Sequence, residues 1–415
     1  MNILLIHQYF LQTGGSGGSR FNEMTRVWEE MNHKVTVLTG MIYHNSGKKY
    51  PEYEGHLFFD EKYSENIRVI RCHDSSQGQK NFIKRLWVYF SFVFFGSIAG
   101  LFKAREKYDV IIVSSPPLTV GIIALILSVF KKIPYVFEVR DLWPESAIDT
   151  GVLKNKSIIN FAFKLEKYLY KKSLLINVLT PAFKSHLIQN KNIAETKIIE
   201  IPNAADFVLS DSLVDSFDPI NLRIQLGIEN VLSIIYVGAH GVANNLIQVI
   251  NVAEKVKEKK VKFLLVGDGM EKKQLELEVQ KRELTNIIFL PPVSKEEVFK
   301  YILASDIGAS ILKKADTFKT VYSNKTFDYM ACKKPIFMLI DGVSRELVEE
   351  ANCGEYIEPE NTNEFANKIN EYLQLNETER QKIGLNGYNF AKQHFNREFL
   401  AKNYIDNIMK KLNGK

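Results

Sequence analysis

Ser323-Asn324-Lys325-Thr326-Phe327-Asp328-Tyr329-Met330-Ala331-Cys332, followed by Lys333-Lys334-Pro335 and the apolar run Ile336–Leu339, is the stretch on which the reading of this 415-residue chain turns. Serine caps helix N-termini well, so a helix is expected to begin after Ser323 and to close at the Lys-Lys-Pro run. The unpaired N–H groups of its first turn, together with Lys325, then make a seat for an anion. Asp328 stands four residues after Asn324 and shares its helix face. A phosphate at the helix tip and a sugar diol against Asp328 are geometrically compatible. The same residues also suit a solvated helix with a surface lysine and a surface carboxylate.

Upstream of this stretch, short apolar runs alternate with helical segments. Leu232–Val237, Val261–Val266, Asn286–Leu290, Ile307–Ser310 and Ile336–Leu339 read as strands, with helices at Asn245–Lys259, Lys272–Lys281 and Lys295–Ala304 between them. The first half repeats the pattern with Ile3–His7, Lys34–Thr39, Val110–Ser114, Tyr135–Val139 and Leu175–Thr180. Continuous apolar strands separated by helices mark parallel sheets covered on both faces. The fold class expected is α/β, as two successive doubly wound units. Periodicity is lost after Ile201-Pro202-Asn203, which sets the expected units at 1–205 and 206–388. The amphipathic segment Glu377–Leu412 is expected to be helical, and its end, from about 389 to 415, to return to the first unit.

With 46% hydrophobic and 25% charged residues, the chain is neither disordered nor fibrous. Cys72, Cys332 and Cys353 lack CxxC spacing and the eight histidines fall singly, so neither a disulfide framework nor a metal site is expected. Residues 1–205 carry 26 Lys/Arg against 18 Asp/Glu, the remainder 28 against 30. A basic first half calls for an anionic partner; without a basic stripe interleaved with aromatics, a membrane surface is favoured over nucleic acid. Leu86–Phe102 is uncharged and bracketed by Lys84, Arg85, Lys103 and Arg105. It reads either as a buried helix or as an interfacial helix on anionic lipid, and it lies at the lower length limit for spanning.

In parallel α/β sheets ligands gather beyond the carboxyl ends of strands, so the segments following each strand are informative. After the first strand comes Thr13-Gly14-Gly15-Ser16-Gly17-Gly18-Ser19-Arg20, where backbone at Gly15, Gly17 and Gly18 can approach a ligand and a helix N-terminus follows. The spacing is not that of a dinucleotide fingerprint. Arg140-Asp141-Leu142-Trp143-Pro144-Glu145 follows another strand; Arg140 can hold phosphate and Asp141 can accept a proton or orient a hydroxyl. A structural Arg–Asp pair is the plainer reading. Gly238-Ala239-His240-Gly241 and Gly267-Asp268-Gly269 end two strands of the second half. Either can be a turn alone, or can admit a phosphate to the backbone.

Taken in order, these segments resemble the GT-B-fold nucleotide-sugar glycosyltransferases, specifically the retaining family 4. The likeness runs through the Gly14–Arg20 loop, Ile201-Pro202-Asn203, Tyr236-Val237-Gly238, Val266-Gly267-Asp268-Gly269 and Lys325–Pro335. The Arg140–Glu145 run resembles a bacterial subgroup that builds O-antigen and capsule sugars, including N-acetyl-fucosaminyl transferases. The resemblance implies two Rossmann-like domains facing across a cleft. It further implies a UDP-sugar donor held by Gly15, Gly17, Gly18, Gly238, His240, Gly241, Ser323, Asn324, Lys325 and Asp328. Arg140 and Asp141 would take catalytic roles, and Arg20 and Glu145 would lie on the acceptor side.

Asp328 occupies the place of the second Glu of the family's E-x7-E motif, which contacts ribose hydroxyls. No Glu stands at the motif's first position, which implies a donor lacking a hydroxyl there, as in a deoxy amino sugar. The Gly238–Gly241 turn lacks the Arg and Lys that many relatives place near the diphosphate, leaving Lys325, Arg140 and the Gly15–Gly18 amides for that task. Retaining transferases of this type imply front-side displacement, with the leaving diphosphate helping to take the acceptor's proton. No cofactor and no metal are expected, since no DxD motif ends a strand. The expected partners are the donor, a polyprenyl-diphosphate-linked saccharide and the anionic inner face of the cytoplasmic membrane, with the protein cytoplasmic and peripheral. A UDP-N-acetylglucosamine 2-epimerase-like enzyme and a non-catalytic sugar-nucleotide-binding scaffold are the alternatives.

Overall fold

The computed structural model describes residues 1–12, 20–42, 49–75, 82–149 and 153–414. The chain separates into two compact units, one holding the bulk of the sequence up to Pro202 together with the segment from Glu398 on, the other Asn203–Arg397. Both are parallel α/β sheets covered by helices, and the doubly wound class expected from the apolar runs is the class observed.

Unit 1 contains β1 (Asn2–Ile6), β2 (Lys34–Gly40), β3 (Phe58–Lys62), β4 (Ile67–Cys72), β5 (Val110–Ser115), β6 (Tyr135–Val139), β7 (Leu175–Val178) and β8 (Ile198–Glu200). Their order is β3-β4-β2-β1-β5-β6-β7-β8, all parallel except β3, which runs antiparallel to β4 at the edge. β1 sits at the centre because Ile3–Ile6 are fully buried and pair with β2 on one side and β5 on the other. The helix Arg20–Glu30 buries Phe21, Met24 and Trp28. Trp28 donates from Nε1 to the carbonyl of Ala401 at 2.9 Å and packs edge-on against Tyr404. The C-terminal helix thereby becomes part of this unit's core. The segment expected to be one helix to Leu412 is two, Glu377–His394 and Arg397–Asn413, because Phe395 is drawn into the core beside Phe327 and its carbonyl accepts from the Ala205 N–H.

The apolar segment from Leu86 onward lies in the helix Phe82–Phe102, which packs closely on the helix Val120–Lys131. A Cβ at Gly96 would come within 2.8 Å of Ile123 Cδ1, and one at Gly100 within 2.5 Å of Leu127 Cδ1. Phe92, Val93 and Ala99 are buried, whereas Trp87, Phe94 and Phe102 face solvent. Among the described residues no helix is long and apolar enough to cross a membrane.

One buried ion pair holds unit 1 together. Arg20, 3% exposed, meets fully buried Glu138 of β6 with two contacts of 3.2 Å, Nε to Oε1 and Nη2 to Oε2. Its guanidinium also donates to the carbonyls of Ile201 (2.7 Å) and Pro202, and Asn177 of β7 donates to Glu138 Oε2 at 3.0 Å. This position corrects the expectation that Arg20 serves the acceptor: its donors are consumed inside the unit.

Unit 2 contains β9 (Leu232–Val237), β10 (Val261–Val266), β11 (Ile287–Leu290), β12 (Ile307–Ile311), β13 (Ile336–Leu339) and β14 (Gly354–Tyr356), ordered β11-β10-β9-β12-β13-β14 and all parallel. An apolar core lies on each face, one around Ile234, Phe263 and Phe337, the other around Ile235, Phe327 and Met338. The order reverses between β9 and β12, where such sheets bind ligands.

Breaking the Arg20–Glu138 pair should be costly. Glu138→Gln leaves a buried guanidinium without its counter-charge, and unit 1 should lose about 3 kcal/mol or more in urea unfolding. The double replacement Arg20→Met with Glu138→Leu should be less damaging than Glu138→Gln alone. Equal loss in the double variant would mean that the carbonyl contacts, not the charge pair, dominate.

Candidate functional site

At the reversal point of unit 2, β9 ends at Val237 and the chain turns through Gly238 with φ 143°, in a region that favours glycine. A Cβ at Gly238 would lie 3.2 Å from Lys325 Cε and 3.3 Å from the Tyr236 hydroxyl. Bare backbone here lets Lys325 close over the turn. Gly267, at the end of β10 with φ 145°, is more constrained: its Cβ would fall 1.9 Å from the Gly238 carbonyl oxygen. The two loops interlock further, since the His240 N–H donates to the Asp268 carbonyl at 2.9 Å and the His240 carbonyl accepts from Glu271 at 3.0 Å.

His240 is wholly buried, and neither ring nitrogen has a hydrogen-bond partner among the described residues. Burial pushes its imidazole down to about 4, with Lys272 and Lys325 acting in the same direction against Asp268. It is therefore a neutral ring at pH 7, offering one donor and one acceptor in a site that lacks them.

The helix Asn324–Ala331 presents its N-terminus to this turn. Ser323 occupies the N-cap position, but its side chain makes no capping hydrogen bond, which corrects the expectation of a hydroxyl cap; its own N–H donates to Ser344 Oγ at 3.3 Å. Asn324 is exposed and Lys325 half-buried. The Lys325 ammonium sits 4.7 Å from the centroid of the Tyr236 ring. Burial lowers it to about 8, with Asp328 pulling the other way. A cation held out of water beside a glycine turn and a helix N-terminus is a strong attractor for an anion.

Tyr329, which the sequence reading did not single out, aligns these parts. Its hydroxyl accepts the Val237 N–H at 3.1 Å and lies 3.2 Å from the Ala309 carbonyl, while its ring covers Gly308, where a Cβ would be 2.3 Å from Cγ. Thr326 and Ser310 share a hydroxyl hydrogen bond of 2.8 Å. The helix is thus pinned to β9 and β12 from within. The signal available in the sequence was Gly308 inside a strand, a mark of close approach. Gly238, His240 and Lys325 are brought together; Gly241 closes a turn with Asn244, and Asp328 lies one turn into the helix, coupled electrostatically to Lys325.

In unit 1, Gly15, Gly17 and Gly18 lie outside the described residues. Arg140 follows β6, its N–H donating to the Ser115 carbonyl at 3.1 Å. Asp141 is pushed up by burial and accepts from Ser146 Oγ at 2.7 Å. Glu145 joins an internal ion cluster with Lys191 and, at 3.4 Å, His186, and Lys191 also reaches buried Glu166 at 2.8 Å. Burial opposes its ionisation, yet bonds from His186 and Lys191 prevail and hold it below the ordinary carboxylate range. One oxygen of this carboxylate is thus engaged in an ion pair. Another carboxyl escaped notice: Asp74, buried beyond the carboxyl end of β4, accepts from the Met41 N–H at 2.9 Å and is raised to about 6 by burial. Such a group can exchange a proton near neutrality. Among the described residues no group of three or more His, Cys, Asp or Glu is placed to hold a metal ion.

Two Rossmann-like units, the second with a glycine turn and a lysine-bearing helix tip at its strand-order reversal, define a GT-B architecture. The fold is shared with sucrose-phosphate synthase of Thermosynechococcus elongatus (TM-score 0.76, 16% identity, 100% of both chains). It is likewise shared with Anabaena HepE in complex with UDP and glucose (TM-score 0.72, 18% identity, 99% of this chain and 100% of that one). Residues 15–204 match the glycosyl transferase 4-like domain and residues 220–390 the glycosyl transferases group 1. The chain is a glycosyltransferase of GT-B fold, its first part similar to the 4-like domain and its second to the group 1 family. It is 23% identical over 342 residues, 80% of each chain, to the putative colanic acid biosynthesis glycosyl transferase WcaI of Escherichia coli K12. It is 30% identical over 145 residues, 34% of this chain and 38% of the other, to the uncharacterized glycosyltransferase MJ1178 of Methanocaldococcus jannaschii.

The interlock makes a direct prediction. Gly267→Ala meets both an unfavourable φ and the Gly238 carbonyl, and should cost unit 2 about 3 kcal/mol or more in urea unfolding. Gly227→Ala, at φ 62° but facing only the end of the Lys262 side chain at 3.4 Å, should cost only about 1 kcal/mol. Similar losses at both positions would refute the interlock.

Proposed function

We propose that this glycosyltransferase moves an N-acetylated deoxy amino sugar from UDP to a polyprenyl-diphosphate-linked saccharide, retaining anomeric configuration, at the cytoplasmic membrane face during surface-polysaccharide synthesis. The observation that carries the donor reading is the Lys325 ammonium held against the Gly238 turn. That arrangement suits a diphosphate: backbone approaches without a Cβ, the helix tip supplies N–H groups, and a desolvated cation faces them. The solved complexes of HepE with UDP and with UDP-glucose support a uridine nucleotide in this architecture. The name of WcaI supports a role in surface polysaccharide.

In this reading departure of the diphosphate is the step the enzyme assists. Negative charge grows on the leaving oxygen as the glycosidic bond stretches, and Lys325 with the helix-tip amides stabilises it. Held in place, the diphosphate accepts the acceptor's proton on the same sugar face, which gives retention. Asp328 takes the ribose hydroxyls, and Asn324 and neutral His240 hydrogen-bond the diphosphate or sugar. Arg140 and Asp141 keep the catalytic roles that the family resemblance implies. No Glu stands eight residues before Asp328, so a deoxy donor leaves no hydroxyl unserved. The reaction proceeds without a metal, and a chelator should leave the rate unchanged.

Thermal unfolding with UDP, GDP and ADP tests the donor. UDP at ~100 times its dissociation constant should add about 2.7 kcal/mol, and the other two should add little; no shift with UDP overturns the reading. A second outcome concerns pH. The empty-site Lys325 loses its proton near 8, and a bound diphosphate favours its charged form. UDP affinity should therefore be highest below that pH and fall as pH rises through it. In Lys325→Gln the affinity should be lower by about tenfold, as loss of a charge-assisted hydrogen bond predicts, and this pH dependence should disappear. A fall of equal size in the variant would exclude Lys325 as its source.

A further inference from the structure

At the opposite end of unit 1's strands from their carboxyl termini lies an open pocket of ≈ 580 Å³ that the transferase reaction does not use. Four lysines line it, Lys132, Lys172, Lys197 and Lys411, and no acidic side chain does. They arrive from four separate places: the end of the helix Val120–Lys131, the end of the helix Lys156–Lys172, the turn before β8, and the last turns of the C-terminal helix. Lysines near helix C-termini favour the dipole, which accounts for three of them singly. It does not account for their convergence. Lys197 is pushed down by burial and further by the charge of Lys411, as like charges held together require.

Beside this pocket the surface turns apolar. Val129 and Phe130, immediately before the lysine pair Lys131-Lys132, are each 72% exposed, and Phe102 at the end of the neighbouring helix is 64% exposed. Lys131 Nζ donates to the Ala104 carbonyl at 2.8 Å and holds the two helix ends together, with exposed Lys103 and Arg105 following Phe102. Large apolar side chains left in water at a helix end, rimmed by cations and continuous with an acid-free pocket, match a surface of opposite charge that also offers an apolar layer. Neither a soluble polyanion nor a nucleic acid supplies both.

We propose that this corner of unit 1 docks on an anionic phospholipid bilayer, lipid phosphates entering the lysine pocket while Val129, Phe130 and Phe102 reach the headgroup–acyl boundary. This gives the membrane-surface reading above a location, and rests on that reading only for the acceptor's being lipid-linked. β6, the longest strand leading away from the pocket, has five residues, so the anchor lies roughly 15 Å from its carboxyl end and leaves that end open.

The experiment is co-sedimentation of the full chain with vesicles of phosphatidylcholine alone or mixed with phosphatidylglycerol, at low and high salt. Binding should require phosphatidylglycerol and weaken with salt. Lys132→Gln with Lys172→Gln and Lys411→Gln should weaken it roughly a hundredfold, about fivefold per surface-proximal cation. Val129→Ser with Phe130→Ser should weaken binding at both salt concentrations. UDP-induced thermal stabilisation should persist in both variants, which shows that they are folded and keeps this test separate from that of the donor site. If UDP stabilises no form of the chain while vesicle binding behaves as described, the donor reading falls and the docking surface stands. No binding to phosphatidylglycerol vesicles, or equal binding by the triple variant, overturns the proposal. So does calorimetric binding of inorganic phosphate at the lysines without vesicle binding, which would make the pocket a site for a free anion.

Discussion

The Arg20–Glu138 pair is the constraint around which the first unit is arranged. Taking both charges out of water is expensive, and the pair is tolerable only because nearly every remaining donor and acceptor is used. Two carbonyls of the Ile201-Pro202 segment, the amide of Asn177 and the carboxylate of β6 converge on one guanidinium network. The network joins the first helix, β6 and β7, and the Ile201-Pro202 segment by which the chain leaves the unit. None of these can shift alone without disturbing a buried charge, so the geometry toward the carboxyl ends of β6 and β7 is tied to it.

Unit 2 achieves a comparable rigidity with backbone and aromatic rings instead of charge. Gly267 against the Gly238 carbonyl and Tyr329 against Gly308 leave the β9 turn and the Lys325 helix a single mutual placement. Lys325 then bears a cost, because burial takes part of its ammonium's hydration before any ligand arrives. That cost is the origin of its lowered pKa, and also the reason an arriving anion gains more here than at a solvated lysine. Neutral His240, buried with unmet hydrogen-bonding capacity, is kept in the same state of readiness.

Ten strands were legible in the sequence because both faces of each are covered, which leaves runs such as Ile3–Ile6 and Ile336–Leu339 uninterrupted by polar residues. β3 and β4 escaped because Phe58–Lys62, at the edge, and Ile67–Cys72 beside it mix charges into their runs. β8 and β14, of three residues each, are too short to show a period. Gly238 and Lys325 stand out in the sequence by residue type and spacing, and the fold sets them side by side. Pattern alone does not reveal burial: Arg20 is a charge paired inside its unit, and Ser323 caps by position without its hydroxyl. Tyr329 was missed because its own type and spacing say nothing of its partners, and only Gly308 inside a strand hinted at the ring that covers it.

The donation from Trp28 to the Ala401 carbonyl has a consequence for how the chain is made. Residues more than three hundred and seventy apart must meet before the first unit has its complete core. As the polypeptide emerges from the ribosome, the entire second unit is available to close its own sheet while the first still lacks the helix that covers Trp28 and supplies Tyr404. The earlier-synthesised unit is therefore the later to mature, waiting with an open flank through the synthesis of its successor. A premature stop after the second unit would leave that unit's sheet whole and the first permanently unfinished.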